Sequence, residues 1–228
     1  MRPMRSFARF SLEVATVVAL AATAHAADKY PNFAALAAAE KEGADYRITL
    51  LDRRSPIAVL AIHGGAIEPG SDQLARAIAR DDWSLYVFES LKAPHDNTLH
   101  VTATHFDEPQ ALALAMRSAI CIAPHGMRGD ADAICIGGAN AKLRRAVHDG
   151  LERAALGIPL EEPCARLPGV SPENIDNRCE RQGVQLELSA SLRSRLLADP
   201  TLMEKLATTV RDSVQAYDVA AKHRPDSK

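Results

Sequence analysis

The chain has 228 residues, 47% of them hydrophobic and 25% charged, enough apolar content for one domain with a sizeable core. Its formal charge of −2 argues against a nucleic-acid partner, because binding through phosphate neutralisation needs a basic balance and a basic face.

Residues 1–26 read as an export signal. Arg2, Arg5 and Arg9 precede a largely apolar stretch over 14–22, and Ala24-His25-Ala26 has the small-x-small form of a signal-peptidase site. The stretch falls short of the roughly 20 residues that span a bilayer, so cleavage and a periplasmic or secreted product are expected, with no membrane span left behind. Cleavage takes the balance from 27 basic and 29 acidic residues to 24 and 28, a formal charge of −4. Residues 27–228 are then expected to form one domain. All four cysteines, Cys121, Cys135, Cys164 and Cys179, lie in it, and an oxidising compartment favours their pairing. The expected pairs are Cys164 with Cys179, which would order a proline-rich segment, and Cys121 with Cys135, both on predicted strands; the alternative for the second pair is two small buried thiols packing as hydrophobes.

A helix is predicted over 32–42, opened by Pro31 and closed by Gly43. Strands follow over 46–51, where residues alternate, and over 57–62, which is apolar throughout. Ser71 or Asp72 can cap a helix through Ala79. A short strand at 85–88 and an alternating one at 99–104 come next, then a helix from Pro109 to Ser118 started by Asp107-Glu108-Pro109. Strands over 119–123 and 133–136, a helix from about 139 to 156, a long loop over 159–172 and a strand over 184–188 complete the sheet. The remainder reads as helix, broken near Asp199-Pro200. Strands alternating with helices, several apolar throughout, predict an α/β fold: a central mixed sheet with helices on both faces.

Two of these strands stop on the same dipeptide, His63-Gly64 and His125-Gly126. Ligands gather outside the carboxyl ends of strands in such sheets. After His63, Gly64 and Gly65 permit a tight path that brings Glu68 back, and two imidazoles with one carboxylate are a common ligand set for a catalytic zinc with one position open to water. His125 is one candidate third ligand; His105, with Asp107 placed to orient an imidazole, is another. His100 is expected to face solvent or a neighbouring side chain. Glu187 interrupts an apolar strand, where burial would raise its pKa and suit it to a general base opposite a metal-bound water. Arg128 follows His125 closely enough to steady an oxyanion, and Asn140 is placed as a helix cap or a substrate contact. No serine has nucleophile-elbow context.

Together, His63-Gly64-Gly65-Ala66-Ile67-Glu68-Pro69-Gly70, Leu99 to Pro109, His125-Gly126, Ile136-Gly137-Gly138 and Gly183 to Leu188 resemble the poly-γ-glutamate hydrolase family of bacteriophages and bacilli. The resemblance implies a zinc carboxypeptidase-like α/β/α fold and cleavage of γ-glutamyl amide bonds in poly-γ-glutamate. It implies zinc on His63, Glu68 and His125 and a catalytic role for Glu187. His105 is then left to substrate contact or support of the site. A cell-wall peptide as substrate, and an inactive exported binding protein, are the alternatives.

Overall fold

The computed structural model describes residues 28–94 and 96–222; the expected signal, 1–26, lies outside them. A seven-stranded mixed sheet runs in the order β1-β3-β2-β4-β7-β5-β6. The strands are β1 (Tyr46–Leu51), β2 (Ile57–Gly65), β3 (Ser84–Ser90), β4 (Ile120–Met127), β5 (Ile134–Gly137), β6 (Leu160–Glu161) and β7 (Val184–Ser189). The inner strands β3, β2, β4 and β7 are parallel, while β1 and β5 run antiparallel to their neighbours β3 and β7. The helices are α1 (Phe33–Ala39), α2 (Ser71–Ala79), α3 (Pro109–Arg117), α4 (Ala141–Ala154), α5 (Ala190–Ala198) and α6 (Pro200–Lys222).

Alternate side chains of each strand go to opposite faces, and two apolar clusters follow from that period. Val59, Val87, Ile122 and Leu186 pack with α2, α4, α5 and α6. Leu60, Phe88 and Cys121 pack with α1, α3 and the 3₁₀ turn Ile175–Arg178. The layered α/β architecture is therefore the one expected. His125 and Glu187 are register partners on adjacent strands and, by the same alternation, share the face on which the 3₁₀ turn lies.

Several local expectations are corrected. Residues 99–104 form turns instead of a strand, because side chains take up their polar groups: Asp28 accepts from the Thr102 backbone N–H and hydroxyl, both at 2.7 Å. The cap of α2 is Gly70, at φ 98°; Ser71 and Asp72 lie inside the helix. The disulfide joins Cys135 to Cys164, while Cys121 and Cys179 are free and buried. β7 inserts between β4 and β5 and so separates Cys121 from Cys135, whereas Cys164 donates its N–H to Ile136 O at 2.9 Å, against β5.

Candidate metal centre and active site

β2 carries His63 to the carboxyl edge of the sheet, and the chain then reverses sharply. The Glu68 N–H donates to His63 O at 2.9 Å, which folds the carboxylate back over the imidazole. Gly65 makes this possible: its φ is 65°, and a Cβ there would lie 2.3 Å from Ser90 O. The two side chains meet at 3.1 Å, His63 Nδ1 to Glu68 Oε1. His125, from β4, brings its Nδ1 to 3.1 Å from His63 Nδ1 and 3.7 Å from Glu68 Oε2. Gly126 N–H donates to Glu68 Oε2 at 2.7 Å and holds the carboxylate across the two strands. His63, Glu68 and His125, all buried, thus converge.

The donor chemistry of this triangle fits a metal ion. His63 Nε2 faces Val101 O at 2.9 Å and must carry the hydrogen there, so a neutral ring points a lone pair from Nδ1 at the Glu68 carboxylate. Two lone pairs at 3.1 Å repel unless a cation lies between them, a proton or a metal. Metal–ligand bonds of about 2.0–2.1 Å in a tetrahedron put neighbouring ligand atoms about 3.4 Å apart, near the separations found here. His63 keeps its other nitrogen on a carbonyl, as metal-bound imidazoles do.

Electrostatics agree. Burial works to raise the Glu68 carboxyl, but the imidazoles of His63 and His125 outweigh it and hold the group well below the usual carboxylate range. Burial opposes the His125 cation, yet the hydrogen bond to Glu68 and the charge of Glu187 lift its pKa to about 9. Burial pushes Glu187 up to about 7 against the pull of His125. That strand is interior, between β4 and β5, which is why the acid is buried. A polar chain orients it: Asn174 Nδ2 donates to Gln185 Oε1 at 3.0 Å, and Gln185 Nε2 donates to Glu187 Oε1 at 2.9 Å.

Other expected site residues are not brought together. Arg128 lies exposed beyond the end of β4 and, among the described residues, makes no hydrogen bond or ion pair, so it does not lean over the cluster. His105 is exposed in the turn after Val101 and joins none of the three ligand candidates. Asn140 is fully used as the α4 cap, accepting from Leu143 N–H at 3.0 Å and donating to Arg181 O at 2.8 Å. It follows β5, whose antiparallel course beside β7 carries it away from the Glu187 end of the sheet.

His100, expected to face solvent or a neighbouring side chain, and two residues that sequence reasoning passed over, Asp176 and Arg193, stand around this cluster. His100 stacks on His63 with ring centroids 4.2 Å apart, and His63, Glu68 and His100 each offer a ligand atom within 4.8 Å of the others. Its Nδ1 is engaged by Asp28 Oδ1 at 2.6 Å. Asp176, on the 3₁₀ turn, is fully buried with both carboxylate oxygens unpartnered, and burial lifts its pKa to about 7 against the charge of His125. His125 Nε2 is likewise buried without a partner. The third is Arg193, on α5, whose guanidinium occupies the space a Cβ on Gly126 would need. Only buried polarity in an apolar run signals such residues in sequence; His100 and Arg193 sit in a turn and on a helix, where that signal is lost.

A family model described as poly-gamma-glutamate hydrolase matches residues 30–220. The UPF0714 protein YndL of Bacillus subtilis (strain 168) is 35% identical over 188 residues, covering 81% of this chain and 73% of YndL. Among solved structures, a bacteriophage poly-gamma-glutamate hydrolase superposes with TM-score 0.80 at 30% identity, covering 85% of this chain and 100% of that one. A YndL structure described as apo and zinc-free gives TM-score 0.76 at 31% identity, covering 84% and 99%.

Proposed function

The chain belongs to the poly-γ-glutamate hydrolase family, and we propose on that premise that it is a zinc-dependent amidohydrolase, exported through residues 1–26, that cleaves γ-glutamyl amide bonds in poly-γ-glutamate. The observation that carries the metal assignment is the triangle of His63 Nδ1, the Glu68 carboxylate and His125 Nδ1, with sides of 3.1, 3.1 and 3.7 Å. Zinc bound by these three residues would polarise a scissile carbonyl and lower the pKa of a bound water toward about 7.

The chain's own residues supply the rest. Glu187, held through Oε1 by Gln185, is the proton acceptor: near neutrality it can take a proton from water and return it to the leaving amine nitrogen. Val101 O fixes the His63 tautomer, and Gly126 N–H fixes the Glu68 rotamer, so the ligand set is oriented before any ion arrives.

Metal analysis of the purified protein tests this reading. One zinc per chain is expected, lost in His63→Ala together with hydrolysis of purified poly-γ-glutamate. Glu187→Gln should keep the metal and slow hydrolysis by about 10²- to 10⁴-fold. Release of product from cell-wall fragments and none from polyglutamate would move the substrate assignment, and full activity in Glu187→Gln would remove the base role.

A further inference from the structure

Arg193 reaches the carboxyl ends of β4 and β7 from the first turn of α5, on the face of Gly126 and Leu188, and its position is built by the three segments that carry Glu68, His125 and Glu187. Its Nη1 donates to Pro69 O at 3.0 Å and its Nε to Leu188 O at 3.3 Å. A Cβ on Gly126 would lie 2.6 Å from its Cζ and 2.9 Å from its Nη2. Pro69, Leu188 and Gly126 directly follow Glu68, Glu187 and His125 in the chain. A second glycine, Gly70, gives way to the Arg193 backbone, with its missing Cβ 3.2 Å from Arg193 Cβ.

The guanidinium so held is half-buried and lacks an anionic partner. Among the described residues no carboxylate lies within ion-pair distance of it, Nη2 makes no hydrogen bond, and the charges of Glu68 and Glu187 reach it only at longer range. An arginine fork matches a carboxylate geometrically and binds it more strongly than a neutral acceptor. The cation therefore stands within electrostatic reach of Glu68 and Glu187 with donors to spare, held by two backbone carbonyls.

Linkage chemistry says which anion would arrive there. In a γ-glutamyl chain the carbon attached to each amide nitrogen carries a free α-carboxylate. In an α-linked chain that carboxyl is consumed in the next amide at every internal position. We propose that Arg193 binds the α-carboxylate next to the scissile nitrogen and so selects γ-linked over α-linked amides, an inference that rests on the hydrolase reading above.

The test compares short γ-glutamate oligomers bearing free α-carboxylates with the same oligomers blocked as primary amides. Wild-type protein should prefer the free acids by about 30-fold or more in kcat/KM, the scale of losing one partner of a desolvated charge pair. Arg193→Gln should erase most of that preference while still cleaving the amide-blocked oligomers, and Arg193→Lys, which keeps the charge but not the fork, should restore part of it. Calorimetric binding of the two oligomers to Glu187→Gln protein, with and without Arg193→Gln, gives a readout independent of turnover and should show the same loss. An equal fall on both substrates in Arg193→Gln would overturn the carboxylate assignment and place the residue in support of the fold or the reaction centre. Wild-type protein cleaving both oligomers equally would overturn it alone; wild-type protein cleaving neither would defeat the hydrolase reading beneath it.

Discussion

The ends of β2 and β4 carry the same His-Gly dipeptide and use it in different ways. At His63-Gly64 the glycines serve the backbone: the β2–β3 register shifts between Ala61 and Gly64, Gly65 turns at φ 65°, and a Cβ on Gly64 would lie 2.9 Å from Phe88 O. The outcome is a reversal that returns Glu68 to its own strand. At His125-Gly126 nothing turns. β4 continues through Gly126 to Met127, and the missing side chain leaves room for the Arg193 guanidinium. The imidazoles differ too: His63 Nε2 is braced on Val101 O, whereas His125 Nε2 is buried without a partner. One end is settled by local geometry, the other by what packs over it.

Gly65→Val attacks the first end and should have the largest effect on the fold. The new Cβ would demand a left-handed backbone from a β-branched residue and would fall 2.3 Å from a backbone oxygen of β3, which has no rotamer to escape into. A loss of roughly 3 kcal/mol or more in urea unfolding is expected, with loss of bound zinc as Glu68 is displaced. Unchanged stability would show that the reversal does not depend on this glycine.

The carboxylates around His125 predict a pH dependence of metal binding. A pKa raised to about 9 means that the metal-free protein keeps its proton on His125 at neutral pH, and zinc must displace it. Below about pH 9 the apparent zinc affinity should therefore rise with pH, approaching tenfold per unit, and one proton should be released per ion bound. Competition with a chelator from pH 6.5 to 8.5 measures the slope; a flat profile would mean that His125 is already neutral and free.

How much of this was legible in sequence follows the same division. The apolar runs ending at His63 and His125, and the acid inside the run at Glu187, mark the site because a strand period with one polar residue is a local signal. Strand order is not local. Nothing near Cys121 or Cys135 says that β7 will separate them, so the Cys135–Cys164 pairing is not legible in the sequence. The alternation over 99–104 imitates a strand because Leu99 and Val101 are buried, although Asp28, more than seventy residues earlier, supplies the hydrogen bonds a neighbouring strand would have given. Arg193 looks like one more solvated helix position until Gly126 and Gly70 are found to make space for it.

Gly126→Ala is the smallest of these changes and the most specific to the second end. The backbone there is extended and tolerates any residue, so no strain of the Gly65 kind arises. What the added methyl meets is a side chain with several rotatable bonds, at 2.6 to 2.9 Å, which can swing aside once it gives up Pro69 O or Leu188 O. Unfolding free energy should therefore change by only about 1 kcal/mol, the usual scale for a modest overpacking that a flexible neighbour can relieve. Zinc content should hold, because the Gly126 N–H that supports Glu68 is retained. The displaced fork should instead cost about tenfold in kcat/KM on γ-glutamate oligomers with free carboxylates and little on their amide-blocked counterparts. A drop in zinc content with stability intact would mean that the second glycine, like the first, is there to place a ligand.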